Sequence, residues 1–122
     1  MKLGALEKTV MNTIWLEFPA QEFTVRDIVN YLHDNNAEYA YNTILTVLTH
    51  LYEKKMLHRK KVGKSCIYTV RETQDSFIKK ASLQFMTQMK KDYGDIAVAH
   101  FVDALEEVDA NLLTEIAKKY EK

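Results

Sequence analysis

Cysteine, proline and glycine are scarce in this chain of 122 residues, which holds one, one and three of them. The lone thiol, Cys66, excludes an intramolecular disulfide framework and a cysteine-rich metal site. No flexible linker, low-complexity tract or internal repeat is present. No apolar run approaches the roughly 18 residues that span a bilayer. The start lacks a basic segment followed by an apolar stretch, so neither a signal peptide nor membrane insertion is expected. Together these absences point to the cytoplasm. Chemistry-bearing constellations are missing too. His33, His50, His58 and His100 form no close pair at helical spacing and have no cysteine beside them, which favours structural or surface roles over a metal site. Val62-Gly63-Lys64-Ser65 resembles the tail of a phosphate-binding loop but lacks its first glycine and its following helix. Asp103, Glu106 and Glu107 read as a solvated helix face rather than an acid/base pair. Cys66 reads as a small packing residue. The expectation is a protein that is no enzyme and carries no cofactor or metal.

What the chain does have is a folded composition and a hidden polarity of charge. Apolar residues make up 47% of it, ordinary for a globular domain. The net charge is zero, but its distribution is not even. Between residues 41 and 65 six cations (Lys54, Lys55, Arg59, Lys60, Lys61 and Lys64) face one anion, Glu53, a net of +5. Between residues 92 and 122 eight anions face three cations, a net of −5. A basic stretch inside a neutral chain is the electrostatic footprint expected of a nucleic-acid contact.

The periodicity predicts a helix from Leu3 to Glu17 with Leu6, Val10, Met11, Ile14 and Trp15 inward, stopping before Pro19. Gln21 to Phe23 reads as a short connection, possible as a minimal strand. Thr24 reads as the N-cap of a second helix, with Asp27 three residues on, and Val25, Ile28, Val29 and Leu32 as its buried stripe. Asp34-Asn35-Asn36 ends it. The third helix, Tyr41 to Met56, carries two faces: Ile44, Val47, Leu48 and Leu51 inward, and a second side with Asn42, Thr46, Thr49 and Glu53, flanked by Thr43 and His50. That side is short, polar and weakly charged. It suits a helix laid against base edges in a major groove, and it also fits an ordinary surface helix made of weak helix formers. Leu57–Val62 and Ser65–Val70 then read as two strands joined at Gly63-Lys64, where glycine permits the positive φ of a type II′ turn. A hairpin with a basic tip after a three-helix cluster is the winged helix-turn-helix layout, in which the wing adds phosphate contacts.

From Gln74 the chain turns helical again. Phe77, Ala81, Phe85 and Met89 are spaced by four. A second segment offers Val98, Phe101, Val102 and Leu105. A third, capped at Asp109, offers Leu112, Leu113, Ile116 and Tyr120. Three such helices need a partner for their apolar surface. Either they fold back on the first domain or they interlock with a second copy; two-fold symmetry favours the dimer, because it matches a palindrome.

Leu3-Gly4-Ala5-Leu6-Glu7 with Val10-Met11 and Ile14-Trp15, Thr24-Val25-Arg26-Asp27-Ile28, Asn42-Thr43-Ile44-Leu45-Thr46-Val47-Leu48-Thr49-His50-Leu51 with Glu53-Lys54-Lys55, the wing ending in Ile67-Tyr68, Tyr93-Gly94-Asp95 and Ala99-His100-Phe101-Val102 occur in an order and spacing that resemble one family. It is the penicillinase and methicillin-resistance repressors, with their copper-responsive relatives. The resemblance runs from Leu3 to about Tyr120. It implies a homodimeric repressor on a palindromic double-stranded operator, often described around TACA and TGTA half-sites. It implies that Asn42, Thr43 and Thr46 contact bases and that Lys60, Lys61 and Lys64 grip phosphate. Members that answer β-lactams are cut in the late helix, between Asn and Phe, by a membrane-bound metalloprotease sensor, which makes such a protease an implied partner. Phe101 matches the residue after the cut, and His100 stands where the Asn would be. The paired Cys-x-Cys motifs of the copper branch have no counterpart here.

The full expectation is a mainly α fold with a small β-hairpin: a winged helix-turn-helix domain over residues 1–72 and a three-helix dimerisation segment over 73–122. DNA contacts are expected at Tyr41, Asn42, Thr43, Thr46, Thr49, His50, Lys60, Lys61 and Lys64. Dimer contacts are expected at Phe77, Ala81, Phe85, Met89, Val98, Phe101, Val102, Leu105, Leu112, Leu113 and Ile116. The regulated genes would serve antibiotic resistance or a metal or stress response. A winged helix that binds protein and not DNA is the competing reading, and the basic 41–65 stretch argues against it.

Overall fold

The computed structural model describes residues 3–108 and 110–120. The chain runs α1 (Ala5–Glu17), α2 (Val25–Asp34), α3 (Tyr41–Glu53), β1 (Leu57–Val62), β2 (Ser65–Val70), α4 (Gln74–Tyr93), α5 (Asp95–Val108) and α6 (Ala110–Tyr120). It is mainly α with one two-stranded antiparallel hairpin. Two compact units divide it, Met1–Ile78 and Lys79–Lys122.

The first unit is a winged helix. Its core takes Val10, Met11 and Ile14 from α1, Ile28 and Leu32 from α2, Ile44, Leu48 and Leu51 from α3, and Leu57 and Tyr68 from the hairpin, all buried. These are the inward stripes that helical spacing assigns, so burial of one face per helix drives the assembly. Local chemistry sets the ends. Thr24 Oγ1 accepts from Asp27 N at 3.2 Å, and Asp27 Oδ2 accepts from Thr24 N at 2.9 Å, a reciprocal capping box that starts α2. Asn36 at φ 65° closes α2: Ala37 N donates to Leu32 O at 2.8 Å and Asn36 N to His33 O at 3.1 Å. The end of α3 repeats this with Lys55 at φ 64°, Met56 N donating to Leu51 O at 2.9 Å and Lys55 N to Tyr52 O at 3.0 Å. So the third helix stops at Glu53, three residues short of the expected Met56.

In the hairpin, Leu57 pairs with Val70, Arg59 with Tyr68 and Lys61 with Cys66. Gly63 at φ 61° makes the two-residue turn. Phe23 forms an isolated bridge to Tyr68, with hydrogen bonds of 3.0 and 2.8 Å in the two directions. That bridge ties the segment before α2 to the wing. Trp15 Nε1 donates to Glu72 O at 2.8 Å, and its ring lies 5.2 Å from that of Phe77. Phe77 therefore packs on the first unit's core, although its spacing puts it in the dimer series. The first unit accordingly takes in Phe77 and runs to Ile78.

The Tyr68 ring is fully buried and its hydroxyl has no hydrogen-bond partner. Burial pushes the phenol up, while the Arg59 guanidinium beside it pulls the other way. A buried polar atom without a partner costs stability. Tyr68→Phe should therefore stabilise the first unit by about 1 kcal/mol, read by urea unfolding. A destabilised variant would mean that the hydroxyl has a working partner.

In the second unit, α4, α5 and α6 form no buried core among the described residues. Phe85 is 57% exposed, Phe101 42%, Val102 48%, Leu105 40% and Ile116 44%. Ala81, Met89 and Val98 are half-buried. The expected cap at Asp109 and the side chains of Leu112, Leu113 and Tyr120 lie outside the described residues. Among those described, no helix is long and apolar enough to cross a membrane.

Candidate nucleic-acid interface

The packing of α3 decides what the first unit can offer a partner. With Ile44, Val47, Leu48 and Leu51 inward, the 3.6-residue repeat turns Asn42, Thr46, Thr49 and Glu53 outward. Asn42, Thr43 and Thr46 are exposed and Thr49 is half-buried. Thr46 Oγ1 donates to Asn42 O at 2.9 Å, and Thr49 Oγ1 to Leu45 O at 2.8 Å. Each hydroxyl thus spends its proton on its own helix and presents lone pairs and a methyl outward. That pairing suits acceptance from a base amino group and contact with a thymine methyl. Asn42 supplies both a donor and an acceptor at the entry turn.

His50 lies on the flank that faces α1. Its Nδ1 is 3.7 Å from Glu7 Oε2. Glu7 is buried, and its Oε1 accepts from Lys54 Nζ at 2.6 Å and Gly4 N at 2.8 Å. The hydrogen bond from Lys54 is the main reason its carboxyl is held below the ordinary glutamate range, with the Gly4 amide adding to it and burial opposing. This clamp fixes the last turn of α3 to the first turn of α1.

Tyr41 and Tyr52 stand on the opposite flank. The Arg26 guanidinium lies 4.8 Å above the Tyr41 ring, and that of Arg59 lies 4.1 Å above Tyr52. Neither arginine stands out from sequence periodicity, because each finds its ring on a different element. The available signal was the pair of tyrosines themselves, set eleven residues apart on one helix.

The wing divides its lysines. Successive strand residues point to opposite faces. Lys61 shares a face with Leu57 and Arg59, the face that covers α3 and the core. Lys60 points the other way, where its Nζ is 3.4 Å from Glu22 Oε1. Lys64 sits in the turn after Gly63. The structure thus brings Asn42, Thr43, Thr46 and Tyr41 onto one exposed helix, with Arg59 beside it, puts Lys61 on the same hairpin face as Arg59, and sets Lys60 on the opposite face. Among the described residues, no group of three or more His, Cys, Asp or Glu side chains is arranged to hold a metal ion.

A three-helix cluster with an exposed polar third helix and a basic two-stranded wing defines the winged helix-turn-helix fold class. Within that class, the family model described as penicillinase repressor matches residues 3–121, and the chain belongs to this family of transcriptional repressors. A comparison with curated proteins finds no match. Among solved structures, a double mutant of ZitR from Lactococcus lactis aligns over 99% of this chain and 77% of its own, with 14% identity and a TM-score of 0.46.

Proposed function

We infer that the chain represses transcription as a homodimer on a palindromic operator in double-stranded DNA. The observation that carries this reading is the exposed Asn42-Thr43-Thr46 face of α3, held beside a basic wing. α3 enters the major groove, and the wing meets the adjacent backbone. Two copies pair through the apolar surface of α4, α5 and α6, and the pairing sets the half-site spacing. Occupancy of the operator blocks polymerase, and loss of the dimer ends it. A protease cut between His100 and Phe101 would sever α5 inside the surface assigned to pairing. That makes a membrane-bound sensor protease a fitting partner for release, and resistance or a metal or stress response the fitting regulon.

Selection from a random duplex library tests the reading. The wild-type chain should enrich a palindrome. Thr46→Ala should keep its fold and lose about tenfold of its preference at the half-site position that Thr46 touches, in line with roughly 1–3 kcal/mol for a good base contact. Enrichment of no sequence by the wild type would return the chain to the protein-binding class of winged helices.

A further inference from the structure

The mechanism above leaves unused the two arginines stacked on α3. Tyr41 and Tyr52 are eleven residues apart. At 3.6 residues per turn they stand about 20° apart around the helix and about 16 Å apart along it. Both therefore mark one flank, between the buried stripe and the outward side. Their rings are 41% and 38% exposed. Arg26 comes from α2 and Arg59 from β1, so two separate elements each deliver a guanidinium to that flank.

Both arginines are exposed. Neither has a carboxylate partner among the described residues. Asp27, the carboxylate next to Arg26 in sequence, is turned back to the Thr24 amide. A guanidinium lying flat on a ring keeps its edge N–H donors free while its long stem is held in place. Beside Arg26 lies an open cleft of about 570 Å³, lined also by Asn30, Tyr39, His33 and Glu38, whose carboxylate is turned to His33 Nδ1 at 3.0 Å and not to Arg26. Arg59 lies over the Tyr52 ring, with the buried Tyr68 hydroxyl beside its guanidinium.

We propose that Arg26 on Tyr41 and Arg59 on Tyr52 form a pair of preset phosphate clamps that hold one DNA strand along a single flank of α3. The proposal rests on the DNA-binding reading above. With the rings about 16 Å apart along α3, the two forks reach different phosphates of the same strand. The planar fork fits phosphate oxygens in pairs, and stacking fixes the fork before the DNA arrives. The opposite flank, with His50 turned to Glu7, carries no arginine stacked on a ring among the described residues. The grip is therefore one-sided and sets the roll of α3 in the groove.

The test uses the full chain and a fluorescein-labelled duplex of random sequence, with anisotropy titrations between about 50 and 200 mM salt. Arg26→Gln and Arg59→Gln should each lower the slope of log K against log salt by about 1, and the double variant by about 2. Tyr41→Leu and Tyr52→Leu keep the charge and lose the ring. Each should weaken binding by about two- to fivefold with the slope unchanged. Unchanged far-UV circular dichroism keeps the comparison on folded protein. A salt-sensitive wild type whose slope is the same in either arginine variant overturns the clamps and leaves the DNA-binding reading standing. A wild type that binds no duplex overturns both.

Discussion

Glu7→Ala should destabilise the first unit by about 2–3 kcal/mol, the range for hydrogen bonds to a charged group in a partly buried ion pair. The substitution removes the carboxylate to which Lys54 donates at 2.6 Å and Gly4 at 2.8 Å. The Glu7 and Lys54 side chains are only 12% and 31% exposed, so water replaces the lost contact poorly. Urea unfolding followed by the fluorescence of Trp15, the chain's one tryptophan, reads the loss. Because the folded state lowers the Glu7 pKa, it binds fewer protons there than the unfolded chain does. The stabilisation is therefore complete above the ordinary glutamate range. It drains away as pH falls through that range and through the lowered folded value. Wild type and variant should converge at acid pH and separate at neutral pH. Equal stability at neutral pH would remove the clamp from the account. The same clamp fixes the end of α3, so Glu7→Ala should also weaken the DNA contact proposed for that helix.

That clamp also marks where sequence reading stops. The inward stripes of α1, α2 and α3 were legible because burial acts on each helix separately and leaves a period of 3.6 residues. The capping box at Thr24 and the turn at Gly63 were legible for the same local reason. The Glu7–Lys54 pair joins residues 47 apart. No local pattern encodes it, and Glu7 reads as an ordinary first-turn acid. Lys55 misleads in another way. Asn36 and Lys55 both take left-handed backbone to end a helix, but only asparagine advertises that tolerance. The third helix therefore ran three residues too far in the expectation. Phe77 keeps its place in the four-residue series, yet its ring meets Trp15, a contact across elements that spacing does not carry. Lys60 and Lys61 look alike in a basic run; the hairpin register puts them on opposite faces. In the candidate site the outward side of α3 was readable from its own period. The arginines were not, because each depends on where a second element comes to rest.

On the pairing proposed above, Phe101→Glu with Leu105→Glu should leave the chain monomeric and cost about a hundredfold or more in affinity for a selected palindrome. The two side chains lie four residues apart on α5, hence on one face, and are 42% and 40% exposed. A stable interface buries at least about 1,000 Å² in total. The exposed apolar side chains of the second unit can supply the centre of such a surface, each worth roughly 25 cal/mol per Å² once covered. Two carboxylates at that centre meet their own copies across a two-fold axis, in a segment already carrying a net −5 over residues 92–122. Each half-site would then be bound singly, without the second contact that pairing makes intramolecular. Sedimentation at micromolar concentration gives the mass, and anisotropy on the palindrome gives the affinity. The Trp15 emission should stay unchanged, because its ring belongs to the first unit's core. A wild type that sediments as a monomer, or a double variant that stays dimeric, would take pairing away from these helices. Loss of affinity with dimerisation intact would instead place Phe101 and Leu105 in the DNA contact itself.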